Sequence, residues 1–195
     1  MFFSLVKVSL LNRIFYLCSF LLLFSSAVFA QNSNIQVTST ATVGGSWAVS
    51  GSGTLTVHTF TPSADNANIN VSDITSRLQG ATGITKGSVR IVTTNAGVGT
   101  QVGNVNFVAN VTVSNPYTAR YGLQVLAGGD IVLSSQMSLD GESWSSSSNF
   151  GYDVDFSAVG NVLLNSSIST SGQNVSISSQ SARSNGGNVV LSAGG

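Results

Sequence analysis

The sequence predicts an all-β chain wound as a parallel β-helix, a solenoid led by an irregular N-terminal capping segment. Three observations carry this expectation. A Gly-Asn or Gly-Asp unit followed by alternating aliphatics recurs at Gly103, Gly129, Gly160 and Gly187, with spacings of 26, 31 and 27 residues. Apolar pairs keep fixed offsets from these glycines, which a β-sandwich gives no reason to expect. Charged residues make up only 7% of the 195 positions, against about 25% in an average soluble domain. Ser, Thr and Asn instead fill 61 of the 165 positions from 31 to 195. So little charge disfavours helical bundles, coiled coils and basic nucleic-acid binders. The regular recurrence of Val, Ile, Leu and Phe argues against a disordered tail.

Residues 1–30 read as a secretory signal peptide. Lys7 and Arg13 precede the apolar run from Ile14 to Phe24, and the small residues of Ser25 to Ala30 offer a cleavage site after Ala30. The run falls short of the ~20 residues a membrane-spanning helix needs. Cys18 leaves with the signal, as do two of the seven bases. Five bases then face seven acids, a net charge of −2, and no cysteine remains for disulfides or thiol chemistry.

Residues 31–102 form the expected cap and early coils. Ile35-Gln-Val37, Trp47-Ala-Val49, Leu55-Thr-Val57 and Ile69-Asn-Val71 alternate as strands do. Ile74 and Leu78 are four apart, so a short helix is expected here, with Asp73 as its cap and Gly80 as its stop. Val89-Arg-Ile-Val92 resumes as a strand. An irregular start of this kind shields the first open ring of a solenoid core.

Residues 103–195 carry the regular coils. Val105/Phe107, Ile131/Leu133, Val162/Leu164 and Val189/Leu191 stand two and four positions after the glycines, so each pair shares one strand face and together they form one inward ladder. Val111/Val113, Met137/Leu139 and Ile168/Thr170 make a second ladder, and Leu123/Val125, Val154/Phe156 and Val175/Ile177 a third. The segments 114–122, 140–151 and 178–186 differ in length and are rich in Ser, Gly, Asn and Asp, as variable corners are. The Gly-Asn corner is expected to use a left-handed backbone.

The order of a strand, Ile74-x3-Leu78-x-Gly80, Val89-x-Ile91-x-Thr93, Gly-Asn-Val-x-Phe coils and the phrase from Leu126 to Leu133 resembles secreted adhesins of the filamentous-haemagglutinin type. The resemblance implies a right-handed parallel β-helix whose loops and faces serve attachment. The family's two-partner-secreted members carry Asn-Pro motifs in the N-terminal cap, whereas here Asn115-Pro116 lies within a coil.

Residues suited to chemistry are few. His58 is the single histidine and reads as a plain strand residue, since no cysteine or second histidine accompanies it. Asp153 and Asp155 straddle Val154 and share the outer face, where they are either solvated charges or a carboxylate pair for Ca²⁺ or acid/base work. Asp140-Gly-Glu142 reads as a turn, and Trp144 is either a glycan-contact platform or an aromatic folded onto the coil. The remaining bases, Arg77, Lys86, Arg90, Arg120 and Arg183, form no cluster for nucleic acid. The expectation is therefore of no cofactor and no metal.

The position three after each corner glycine should face outward. It holds Asn106, Val132, Leu163 and Val190, so Val132, Leu163 and Val190 are expected to form an apolar stripe for a partner, unless the 140–151 loop covers it. Gly187 is expected to open a fourth coil left incomplete, which marks the sequence as the N-terminal piece of a longer chain. The expected function is a non-enzymatic secreted or cell-surface adhesin or structural β-helix. Its partners would be a host or environmental surface, including glycans, and further coils of a longer chain. The alternative is a secreted polysaccharide-acting β-helix enzyme.

Overall fold

The computed structural model describes residues 32–94, 99–115, 121–141, 148–171, 183–185 and 187–194. They form a β-solenoid of about 4 turns. In chain order the elements are β1 (Ile35–Thr38), β2 (Gly45–Ser50), β3 (Val57–Pro62), β4 (Ala67–Asn70), α1 (Val71–Gln79) and β5 (Ser88–Val92). The coils continue with β6 (Val105–Phe107), β7 (Val111–Asn115), β8 (Gly122–Ala127), β9 (Ile131–Leu133), β10 (Met137–Gly141) and β11 (Ser148–Phe150). The last elements are β12 (Asp153–Ala158), β13 (Val162–Leu164), β14 (Ile168–Ser169), β15 (Arg183–Asn185) and β16 (Val189–Ala193).

Three sheets run the length of the solenoid. The first is ordered β4-β1-β6-β9-β13, the second β7-β10-β14 and the third β2-β3-β5-β8-β12-β16. Every pairing within them is parallel except that of β2 with β3. Each regular coil visits the first, second and third sheets in turn, so residues at equal offsets stack into columns. Val105 pairs with Ile131 and Phe107 with Leu133; Met137 pairs with Val111, and Val154 with Leu123. All of these side chains are buried, and Phe107 stacks on Phe156 across the core at 5.6 Å. Strand alternation thus becomes a continuous apolar column flanked by polar outer faces.

The corner glycines work by a different mechanism from the left-handed turn expected of them. Among Gly103, Gly129, Gly160 and Gly187, Gly103 alone has a positive φ. A Cβ on Gly129 would strike Asn104 Oδ1, and one on Gly160 would strike Asp130 Oδ1. Those oxygens are engaged in a ladder along the corner. The N–H groups of Asn104, Asp130 and Asn161 donate to the side-chain Oδ1 of Asn34, Asn104 and Asp130, at 2.8, 2.7 and 2.7 Å. Each Asn or Asp therefore satisfies a backbone donor that the bend leaves unpaired, and glycine leaves room for it.

The N-terminal end is closed on all three sheets. On the second sheet α1 takes the place of a strand and packs against β7, burying Ile74 and Leu78. The helix starts earlier than expected. Asn70 is the N-cap, its side chain accepting from the Ser72 N–H at 2.9 Å, while Asp73 lies in the first turn and pairs with Arg77 at 3.4 Å. Val71 consequently heads the helix instead of ending a strand. Gly80 stops it with φ +77°, as expected. On the third sheet β2 folds antiparallel over β3, its Trp47 packing edge-on to Phe60 at 5.2 Å beneath the Arg77 guanidinium. On the first sheet Val43 exchanges backbone hydrogen bonds with Asn68 and covers β4. Strand β1 lies inside this sheet, between β4 and β6, with Ile35 and Val37 buried.

Other expectations need correction. Leu55 is 79% exposed in a 3-10 turn, because Gly51 and Gly53 adopt positive φ and delay β3 until Val57. Asp140 lies within β10, not in a turn, and the neighbouring corner adds a further parallel pair, β11 with β15. Val189 and Leu191 belong to the third sheet, in register with Val154 and Phe156, not to the first ladder. Gly187 therefore opens the closing strand of the third regular coil rather than a fourth coil. The strand expected at Val175/Ile177 falls outside the described residues.

Candidate functional site

The outer face of the third sheet carries a column of polar side chains that crosses three strands. Strands β5, β8 and β12 lie side by side in exact register along it, with Arg90 opposite Gln124 and Gln124 opposite Asp155. Alternation sends the intervening Val89, Leu123, Ile91, Val125, Val154 and Phe156 into the core, so the polar column has no choice but to face out. Arg90 Nε donates to Gln124 Oε1 at 2.7 Å, and Gln124 Nε2 donates to Asp155 Oδ2 at 2.8 Å. The three side chains form one hydrogen-bonded chain across three strands.

A second column beside it holds Ser88, Gly122, Asp153 and Asn188. Gly122 places no side chain between Ser88 and Asp153. The Ser88 hydroxyl accepts from the Gly122 N–H at 3.2 Å, and Asp153 Oδ1 accepts from the Asn188 N–H at 2.8 Å. The result is an open groove of about 460 Å³ bordered by Ser88, Arg90, Gln124, Asp153 and Asp155. Its volume lies within the ~300–1,000 Å³ of small-molecule sites. Tyr121, itself one of the lining residues, has the Lys86 ammonium 5.1 Å from its ring, and burial lowers the Lys86 pKa to about 8.

The other residues singled out from sequence are dispersed. Val132 and Leu163 are neighbours on the outer face of the first sheet, in a column that also contains Asn106 and Gln36. Val190 is on the third sheet, beside Asp155, so the expected stripe of three divides into a pair and a separate residue. Its offset from glycine was read correctly, but Gly187 turns a different corner. Trp144 lies outside the described residues. His58 is buried, and its Nε2 donates to the Thr85 carbonyl at 2.6 Å, which fits a structural strand histidine. Asp153 and Asp155 do share an outer face, and among the described residues no group of three or more His, Cys, Asp or Glu side chains converges on a metal-sized site.

Asp140 is a residue whose environment sequence reasoning missed. Its carboxylate accepts from the hydroxyls of Ser138, Ser169 and Ser171 and from the Ser171 N–H. Burial alone would raise its pKa, but these hydrogen bonds outweigh that and hold it below the ordinary carboxylate value. The signal was present as Ser138-x-Asp140, two residues apart on one strand face, with Ser169 one rung on.

No protein-family model, curated protein or solved structure matches the chain. The class defined is that of a parallel β-solenoid with a polar groove on one side. Among the described residues no helix is long and apolar enough to cross a membrane.

Proposed function

We propose that this chain is a secreted or cell-surface β-helix that mediates attachment as an adhesin or structural stalk, without catalysis. The observation that supports this reading best is the stacking of rungs in register, which presents outward hydrogen-bonding side chains such as Gln36 and Asn106 on one sheet and Arg90, Gln124 and Asp155 on another at regular intervals. A rigid rod of this kind holds its contact groups in fixed positions, which lowers the entropy cost of binding a surface. The exposed apolar ends of the last rung, at Leu164, Val189 and Leu191, are in this reading the place where further β-coils stack.

Attachment is tested with beads carrying the purified chain, offered to cells and to polysaccharide-coated surfaces. Retention above that of albumin-coated beads is expected, with no release of reducing sugar. A second reading, a polysaccharide-acting enzyme, has one observation in its favour: Asp153, Asp155 and Arg90 border the same groove. Reducing-sugar release that disappears on Asp155→Asn would establish it over the first.

A further inference from the structure

We infer that the groove over Gly122 is a binding site for a neutral, linear oligosaccharide. The inference rests on the attachment reading above and assigns that function a site and a ligand class. Hydroxylated ligands are recognised by paired donors and acceptors whose geometry is fixed before binding. The Arg90–Gln124–Asp155 chain supplies both, locked at 2.7 and 2.8 Å. Each member keeps hydrogen-bonding capacity to spare: the terminal guanidinium N–H groups of Arg90, the second amide hydrogen of Gln124 and the second carboxylate oxygen of Asp155. Across the groove, Ser88 and Asp153 add a hydroxyl and a carboxylate.

Three features select the ligand class. Among the side chains that line the groove two carboxylates outnumber the single guanidinium, which disfavours polyanionic glycans. The backbone beneath is committed to parallel pairing on both sides of β8, which leaves no free edge there for an added peptide strand. The polar column also repeats at the strand spacing of ~4.8 Å, close to the advance of a linear glycan per pyranose. Val57 and Val190, at the two ends of the groove, offer apolar surface to the C–H faces of sugar rings. Gly122 is what makes the notch: a Cβ there would lie 3.0 Å from the Asp153 carbonyl oxygen and begin to fill it.

The test is calorimetric titration of the purified chain with cellohexaose, xylohexaose, mannohexaose and chitohexaose, and with hexagalacturonate and a heparin hexasaccharide as acidic probes. Binding to at least one neutral probe is expected, weakened tenfold or more by Gln124→Ala and by Arg90→Gln. Arg90 is exposed, so its variant retains the fold if the glutamine variant does not. Asn106→Ala, on the outer face of the first sheet, should bind as the parent does. The inference is overturned if Gln124→Ala and Arg90→Gln, each with unchanged circular dichroism, bind the neutral probe as the parent does, or if only the acidic probes bind. Bead attachment without any oligosaccharide binding also overturns it, and leaves the attachment reading standing. Loss of attachment together with absence of binding overturns both.

Discussion

The two ends of the solenoid solve the same problem differently. At the N-terminal end every sheet is covered: α1 lies under the second, β2 folds across the third, and residues around Val43 cover the first. At the other end β13, β14 and β16 are the edge strands among the described residues, and inward-facing side chains meet solvent. Leu164 is 43% exposed and Leu191 44%, although Leu133 and Phe156, their partners one rung below, are fully buried. The sequence pattern is the same at both rungs. A repeat dictates which way a side chain points, but a neighbouring layer decides whether pointing inward buries it.

The strongest way to break this comparison uses one column. Leu133→Ala should cost about 2–5 kcal/mol, as for a fully buried leucine. Leu164→Ala, one rung higher, should cost about 1 kcal/mol, because Leu164 is 43% exposed and leaves no closed cavity when truncated. Chemical denaturation of both variants gives the two values. Equal costs would mean that the last rung is covered in solution.

The corner glycines sharpen the same contrast at smaller amplitude. Gly129→Ala should cost about 1–3 kcal/mol by expelling Asn104 Oδ1 and freeing the Asp130 N–H. Gly160→Ala disturbs the equivalent bond at the entrance to the last rung and should cost less, since that rung opens more readily. Hydrogen exchange should find the Asn161 amide less protected than the Asp130 amide. At the closed end, Asn70→Ala removes the α1 cap and should cost about 1 kcal/mol. Thermal unfolding should register it as a small fall in Tm.

The fold class, the ladder members Val105/Phe107, Ile131/Leu133, Val111/Val113, Met137/Leu139, Leu123/Val125 and Val154/Phe156, and the shared outer face of Asp153 and Asp155 were legible because strand alternation has a period of two and stacking preserves it. What escaped depends on pairing between distant segments. That Ile35-Gln-Val37 is a strand follows from its alternation. That it lies between β4 and β6 does not, because the positions of both are fixed by other elements. The Gly-Asn motif at Gly187 was misplaced because the same two residues suit two different corners, and the spacing of coils with variable loops cannot tell them apart. The groove had the weakest signal of all. Arg90, Gln124 and Asp155 are separated by 34 and 31 residues, and an unequal coil length hides their common column until the register is known.

Acid and base separate the two ends in the remaining, smallest effect. Asp140 ties β10 to the last rung through Ser169 and Ser171, and its pKa is held below 3.8 in the folded chain. The carboxylate form therefore contributes stability at neutral pH, which is lost as pH falls from the unfolded value of 3.8 through the lower folded one. Lys86, beside the end of α1, is shifted downward from 10.5 to about 8 by burial. Between those values the unfolded chain binds a proton that the folded chain has released, so stability should rise as pH rises from about 8 towards 10.5. Both groups are partly solvated, which keeps each contribution small. Hydrogen exchange at pH 3 and at neutral pH should show protection lost first around β14, and Asp140→Asn should flatten that difference. Denaturation between pH 8 and 10 should show the gain from Lys86, and Lys86→Met should remove the slope. A slope that survives Lys86→Met would assign the alkaline effect to another group.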